Sequence, residues 1–96
     1  MRELSPEAVR DWMTQDDAVQ YIDVRTVAEF AQGRPLLRAV NVPFVFHTPT
    51  AGAEVPNGSF VDLIAWLHAP STPLVLGGGA DSRAARAAAA LAAQGY

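Results

Sequence analysis

The residues of this chain that could do chemistry gather in two stretches. One is Gly77-Gly78-Gly79-Ala80-Asp81-Ser82-Arg83, a glycine-rich turn between the apolar run Pro73-Leu74-Val75-Leu76 and an alanine-rich segment. The other is Tyr21-Ile22-Asp23-Val24-Arg25-Thr26-Val27-Ala28-Glu29-Phe30. A strand-to-helix turn aims successive backbone N–H groups inward, and the helix dipole adds positive potential, so the first stretch is a candidate anion cradle. Asp81 opposes that use. At ~4 Å and intermediate dielectric it repels an anion by on the order of a few kcal/mol, against about 1 kcal/mol from a helix dipole. Its carboxylate could instead cap the helix and fill the bowl from within. The self-capped loop is the favoured reading, and weak binding of a small anion is the other.

More demanding chemistries fail on spacing or on residue type. Gly77 to Ser82 nearly matches a dinucleotide fingerprint, but only about fourteen residues follow, too few for the acidic ribose contact ~20 residues on. A P-loop needs Gly-Lys-Ser/Thr, which is missing. No Gly-x-Ser-x-Gly surrounds Ser82, which argues against a serine hydrolase. His47 and His68 have no carboxylate at helical spacing, so no metal site is expected, and no cofactor is implied. Asp23 and Arg25 could be an acid–base pair or a structural ion pair. The chain has no cysteine, so it has no thiolate nucleophile, thiol ligand or disulfide.

Composition narrows the class. Ninety-six residues make one domain, and half are hydrophobic, enough for one core of marginal stability. A net charge of −3 with no basic run argues against a nucleic-acid partner. All seven basic residues are arginine and alanine is abundant, a coding bias more than a functional sign. The start, Met1 to Pro6, carries no apolar leader, and no run approaches a membrane span. A cytoplasmic protein is the expectation.

The elements that must position these residues alternate. Ser5-Pro6-Glu7 reads as a helix start, with Val9, Trp12 and Met13 on one face and a break at Asp16-Asp17. Val19 to Val24 reads as a buried strand. Thr26 to Gln32 is a short helix ended by Gly33. Ala39 to Val42 is a second strand stopped by Pro43, and Phe44 to Asn57 reads as a long loop. Phe60, Leu63, Ile64 and Leu67 predict a helix over Ser59 to His68. Leu74 to Leu76 is a third strand, and Ser82 to Gln94 a helix closed by Gly95. The alternation predicts an α/β fold, a central mostly parallel sheet with helices on both faces.

Asp23-Val24-Arg25…Glu29-Phe30, together with Asn41-Val42-Pro43-Phe44-Val45-Phe46-His47-Thr48-Pro49 and the glycine-rich turn, resembles the rhodanese-like (sulfurtransferase) domain family, single-domain type. The resemblance implies a three-layer domain over residues 1–96. In that family the turn reads Cys-x-x-Gly-x-Arg-Ser. The cradle lowers the pKa of the cysteine, whose thiolate accepts a sulfane sulfur, holds it as a persulfide and passes it on. Aligned on Arg83, the family cysteine falls at Gly78, the loop glycine at Asp81 and the following serine at Ala84. The resemblance therefore implies a vestigial active-site loop over Gly78, Gly79, Ala80, Asp81, Ser82 and Arg83, braced by Asp23, Arg25 and Glu29. After Gly33 the family's His-Ile-Pro-Gly is replaced by the longer Arg34-Pro35-Leu36-Leu37-Arg38. The family also continues past this point into one more strand, a Gly-Gly turn and a helix bearing a Trp, where this chain reads Gly95-Tyr96. Three functions remain open: an inactive binding or regulatory module (or a decaying paralogue), a sulfurtransferase by descent, and the truncated product of a longer gene. The first, with no enzymatic activity, is favoured. The partners expected are another protein or, through an exposed sheet edge, a second copy. Neither nucleic acid nor membrane is expected.

Overall fold

The structure is a computed structural model that describes residues 4–33, 38–47, 54–78 and 83–96. In chain order it holds α1 (Pro6–Gln15), β1 (Gln20–Asp23), α2 (Val27–Gln32), β2 (Val40–Asn41), β3 (Val45–His47), β4 (Glu54–Pro56), α3 (Phe60–Leu67), β5 (Leu74–Gly77) and α4 (Arg83–Ala92). Local chemistry explains most boundaries. The Ser5 side chain accepts the Ala8 N–H, and Pro6 occupies the first turn of α1. Thr26 caps α2 in a reciprocal capping box with Glu29. After α4 the Tyr96 N–H reaches back to the Leu91 carbonyl, and the Gly95 N–H to Ala92. Gly95 takes a φ of 93°, which closes the helix as a Schellman motif.

The main sheet has the order β2-β1-β5, and both pairings are parallel. Period-two alternation divides its residues between two faces. Ile22, Val24, Leu74 and Leu76 pack with Phe60 and Ile64 of α3 and Ala87 and Leu91 of α4. Val19, Tyr21 and Val75 pack on the other side with Val9, Trp12 and Met13 of α1. Helices therefore cover both faces of a parallel sheet, as the alternation of elements predicts. The Phe44 ring meets Phe60 edge-on at 5.2 Å and joins the turn after β2 to the core.

One expectation is corrected. The stretch from Phe44 to Asn57, read as loop, contains an antiparallel pair, β3 with β4, in the register Val45↔Pro56, Phe46↔Val55 and His47↔Glu54. Val45 turns inward and is buried, whereas Phe46 faces out. The prolines hid this pair: Pro56 cannot donate to a ladder, so proline marks a sheet edge and reads as punctuation. Asn57 then anchors the start of α3. Its side chain donates to the Pro43 carbonyl and accepts the Ser59 N–H.

Candidate functional site

Parallel strands β1 and β5 lie side by side, with β2 beyond β1. The chain leaves β1 for β2 on one side and returns on the other for β5. In open α/β sheets, connections that diverge in this way mark the strand ends where ligands bind. Asp23, the last residue of β1, pairs in register with Gly77, the last of β5. Both chemically suggestive stretches of the sequence therefore meet at one sheet end.

Asp23 is buried, 1% exposed. Its carboxylate accepts Arg25 Nε at 3.1 and 3.0 Å, Arg25 Nη2 at 2.9 Å and the Arg25 backbone N–H at 2.9 Å. Arg25 Nη2 also donates to the Gly33 carbonyl at 2.6 Å, tying the end of α2 to the end of β1. Of the two readings of these residues, this is the structural ion pair. Strand β1 ends at Asp23, so the turn folds Arg25 back onto its own neighbour. The Asn41 side-chain amide donates to the carbonyls of Asp23 at 2.9 Å and Arg25 at 3.0 Å, holding the turn from β2.

A second pair joins α2 to α4. Arg83, at the first position of α4, is buried. Its Nη1 lies 2.7 Å from Glu29 Oε1 and its Nη2 3.1 Å from Oε2, a bidentate contact between residues 54 apart in sequence. Glu29 Oε1 also accepts the Thr26 N–H and hydroxyl. The Arg83 guanidinium and these Thr26 donors hold the Glu29 carboxyl well below its ordinary value, from 4.5 down to about 2. A carboxylate with a depressed pKa stabilises the fold above its unfolded pKa and loses that contribution as pH falls through the folded one. The expected window is therefore from about pH 4.5 down to about 2. The Glu29 side chain is 40% exposed, so solvent screening keeps the effect modest. Urea unfolding across this window should show a steeper acid loss in the wild type than in Glu29→Gln. Parallel curves would mean the pair adds nothing.

The two glycines at the end of β5 sit where other groups approach closely, a side-chain tip at Gly77 and helix backbone at Gly78. A Cβ on Gly77 would collide with the hydroxyl and ring edge of Tyr21, which crosses over the strand from β1. Burial, and secondarily the Asp23 charge, push the Tyr21 phenol up. A Cβ on Gly78 would stand 2.7 Å from the Ala84 backbone nitrogen and 2.8 Å from the Ala84 Cβ. The first turn of α4 thus occupies the space that a side chain at Gly78 would take.

Of the residues singled out in the sequence, Asp23, Arg25, Glu29, Gly78 and Arg83 come together at this sheet end. Gly79, Ala80, Asp81 and Ser82 lie outside the described residues. Sequence reasoning missed Tyr21, Thr26 and Asn41. Thr26-x-x-Glu29 is a capping-box signature and could have been found. The contacts of Tyr21 and Asn41 carry no local signal. Among the described residues no cluster of His, Asp and Glu could hold a metal, and no helix is long and apolar enough to cross a membrane.

Comparison with known proteins gives the arrangement a family. Over 78 residues the chain is 33% identical to thiosulfate sulfurtransferase 18 of Arabidopsis thaliana, a match that covers 80% of this chain and 56% of that protein. The chain thus spans little more than half the length of this curated relative. No solved structure matches significantly. The family model of the rhodanese-like domain matches residues 5–96. With an α/β core that joins the two characteristic stretches at one sheet end, the chain belongs to the rhodanese-like domain family.

Proposed function

We propose that this chain is a catalytically inactive rhodanese-like domain that serves as a binding or regulatory module. In this reading Gly78 takes the place of the family's sulfur-carrying cysteine. Gly79, Ala80, Asp81, Ser82 and Arg83 form the rest of a vestigial loop, and Asp23, Arg25 and Glu29 brace it. The observation that carries the proposal is a double one at a single residue. The chain has no thiol anywhere, and the Cβ position of Gly78 is blocked by backbone of α4. A persulfide therefore has neither a sulfur to form on nor room at that place. The bracing pairs remain because they hold β1, α2 and α4 together whether or not the loop reacts. A protein partner fits the exposed apolar surface of α3, where Leu63 and Leu67 flank Trp66, which is 82% exposed. A cytoplasmic setting belongs to the same reading, since a cysteine-free chain has no disulfide that needs an oxidising compartment.

The name of the plant relative favours a second reading, sulfur transfer from thiosulfate, with the thiol supplied by a partner. One experiment separates the two. After incubation of the purified chain with thiosulfate, intact mass spectrometry should show no added sulfur, and addition of cyanide should yield no thiocyanate. A sulfur adduct on the chain would overturn the inactive reading. Turnover that appears only with a thiol-bearing protein present would establish the second.

A further inference from the structure

We propose that the Tyr21 ring is a displaceable lid over the end of β5, closing a recess at Gly77 that opens when another group takes the place of the ring. The inference goes beyond the proposed function and does not depend on whether the loop is inert. Gly77 ends β5 in register with Asp23, at the sheet end where open α/β sheets bind ligands. Tyr21 pairs in register with Val75, and both pack on the α1 side of the sheet against Val9, Met13 and Val19. Strand alternation puts Gly77 on that same side, two residues beyond Val75. Side chains in strands lean along the strand, and the Tyr21 ring leans from Val75 onto Gly77. The place that a Cβ of Gly77 would take lies 2.6 Å from Tyr21 Cζ and 2.9 Å from Cε1, with the hydroxyl oxygen nearer still. Glycine leaves that place open, and the end of the ring fills it.

Two features make the cover movable. The recess is filled by the far end of a side chain, and rotation to another staggered rotamer clears it without shifting backbone. Gly78 is the contrast, since its Cβ place is taken by the backbone nitrogen of Ala84, which no side-chain rotation moves. The second feature is that packing alone fastens the ring. Buried tyrosines usually spend the hydroxyl on a hydrogen bond. Among the described residues the Tyr21 hydroxyl makes none, and the side chain is only half-buried. Asp23 and Arg25, the charged groups near enough to act on the phenol, are bonded to each other. Opening therefore gives up apolar contact and no hydrogen bond. Val9, Met13 and Val19 fill the core side, so the ring swings toward solvent. The open recess admits a small apolar group, of methyl size, against the backbone of Gly77.

Gly77→Ala puts a methyl in the recess and serves as a built-in probe. Gly77 has no positive φ, so alanine strains no backbone there. In nuclear magnetic resonance the wild type should show contacts between the Tyr21 ring protons and the Gly77 Cα protons. In Gly77→Ala the ring should lose contact with residue 77, and the amide signals of β1 and β5 should stay in place. The urea midpoint should fall less in Gly77→Ala than in Gly78→Ala, whose methyl meets helix backbone. Tyr21→Leu keeps an apolar side chain but removes the end of the ring. In that background Gly77→Ala should lower the midpoint no further. A ring that stays packed on the new methyl while the β1 and β5 amides shift would overturn the proposal. So would equal losses in Gly77→Ala and Gly78→Ala, a Gly77→Ala chain that does not fold, or a Gly77→Ala loss that Tyr21→Leu leaves unchanged.

Discussion

Replacing Arg25 by alanine is expected to destabilise the domain by about 3 kcal/mol, at the lower end of the range for breaking a buried ion pair. Asp23 is 1% exposed, and among the described residues the Arg25 guanidinium supplies three of its four short contacts. Without that group the buried carboxylate keeps, among the described residues, the Arg25 N–H, so the expected cost falls at the low end. The variant also frees the Gly33 carbonyl, so the end of α2 loses its tie to β1. Small domains have roughly 5–15 kcal/mol in total, so the loss is a large fraction. The double variant Asp23→Asn with Arg25→Ala leaves no buried charge and should recover part of it, the non-additivity expected of contacting residues. Urea unfolding of the wild type, the single variants Arg25→Ala and Asp23→Asn, and the double variant measures this. If Arg25→Ala unfolds within ~0.5 kcal/mol of the wild type, as an ordinary surface change does, the pair does not brace the sheet end.

The second large effect concerns Gly78. Gly78→Cys supplies the residue type that sulfur transfer needs, yet it is expected to give no persulfide and to cost about 1–3 kcal/mol, the range for forcing atoms into a packed site. The new Cβ meets the backbone nitrogen of Ala84 at 2.7 Å, and backbone at the start of a helix cannot swing aside as a side-chain tip can. Charge adds to the packing. On the proposed reading, in which Asp81 belongs to the same loop, its charge would raise the pKa of a thiol that must be lowered to react. Comparing Gly78→Cys with Gly78→Cys/Asp81→Gly separates the two causes. Sulfur loading of the double variant alone would assign the block to charge. Equal inactivity and equal destabilisation in both would assign it to the seat of α4. Thiocyanate production by the single variant at wild-type stability would show that the loop opens freely and that the missing thiol was the sole defect.

Much of the architecture was legible because it depends on short-range chemistry. Ser5-Pro6-Glu7 marks the start of α1, and Gly95 adopts the positive φ that closes the last helix. Phe60 and Ile64, four apart, are the buried residues of α3. The antiparallel pairing of Val45–His47 with Glu54–Pro56 was not legible. Two three-residue strands have too little periodicity to stand out, and only pairing with each other makes them strands.

For the site, the sequence by itself determined which chemistry is available. A chain without a cysteine has no thiolate, whatever its fold. It also determined that Thr26 and Glu29 are spaced for a reciprocal cap and that Asp23 and Arg25 are near enough to pair. The tertiary structure decided what those groups meet. Glu29 and Arg83 are 54 residues apart and become a bidentate pair only because parallel pairing sets β5 beside β1 with both carboxyl ends together. Gly78 could be read in sequence as a missing residue. That its Cβ site is already occupied depends on how closely α4 seats against the end of β5, and close packing between distant segments leaves no mark in any local run of residues.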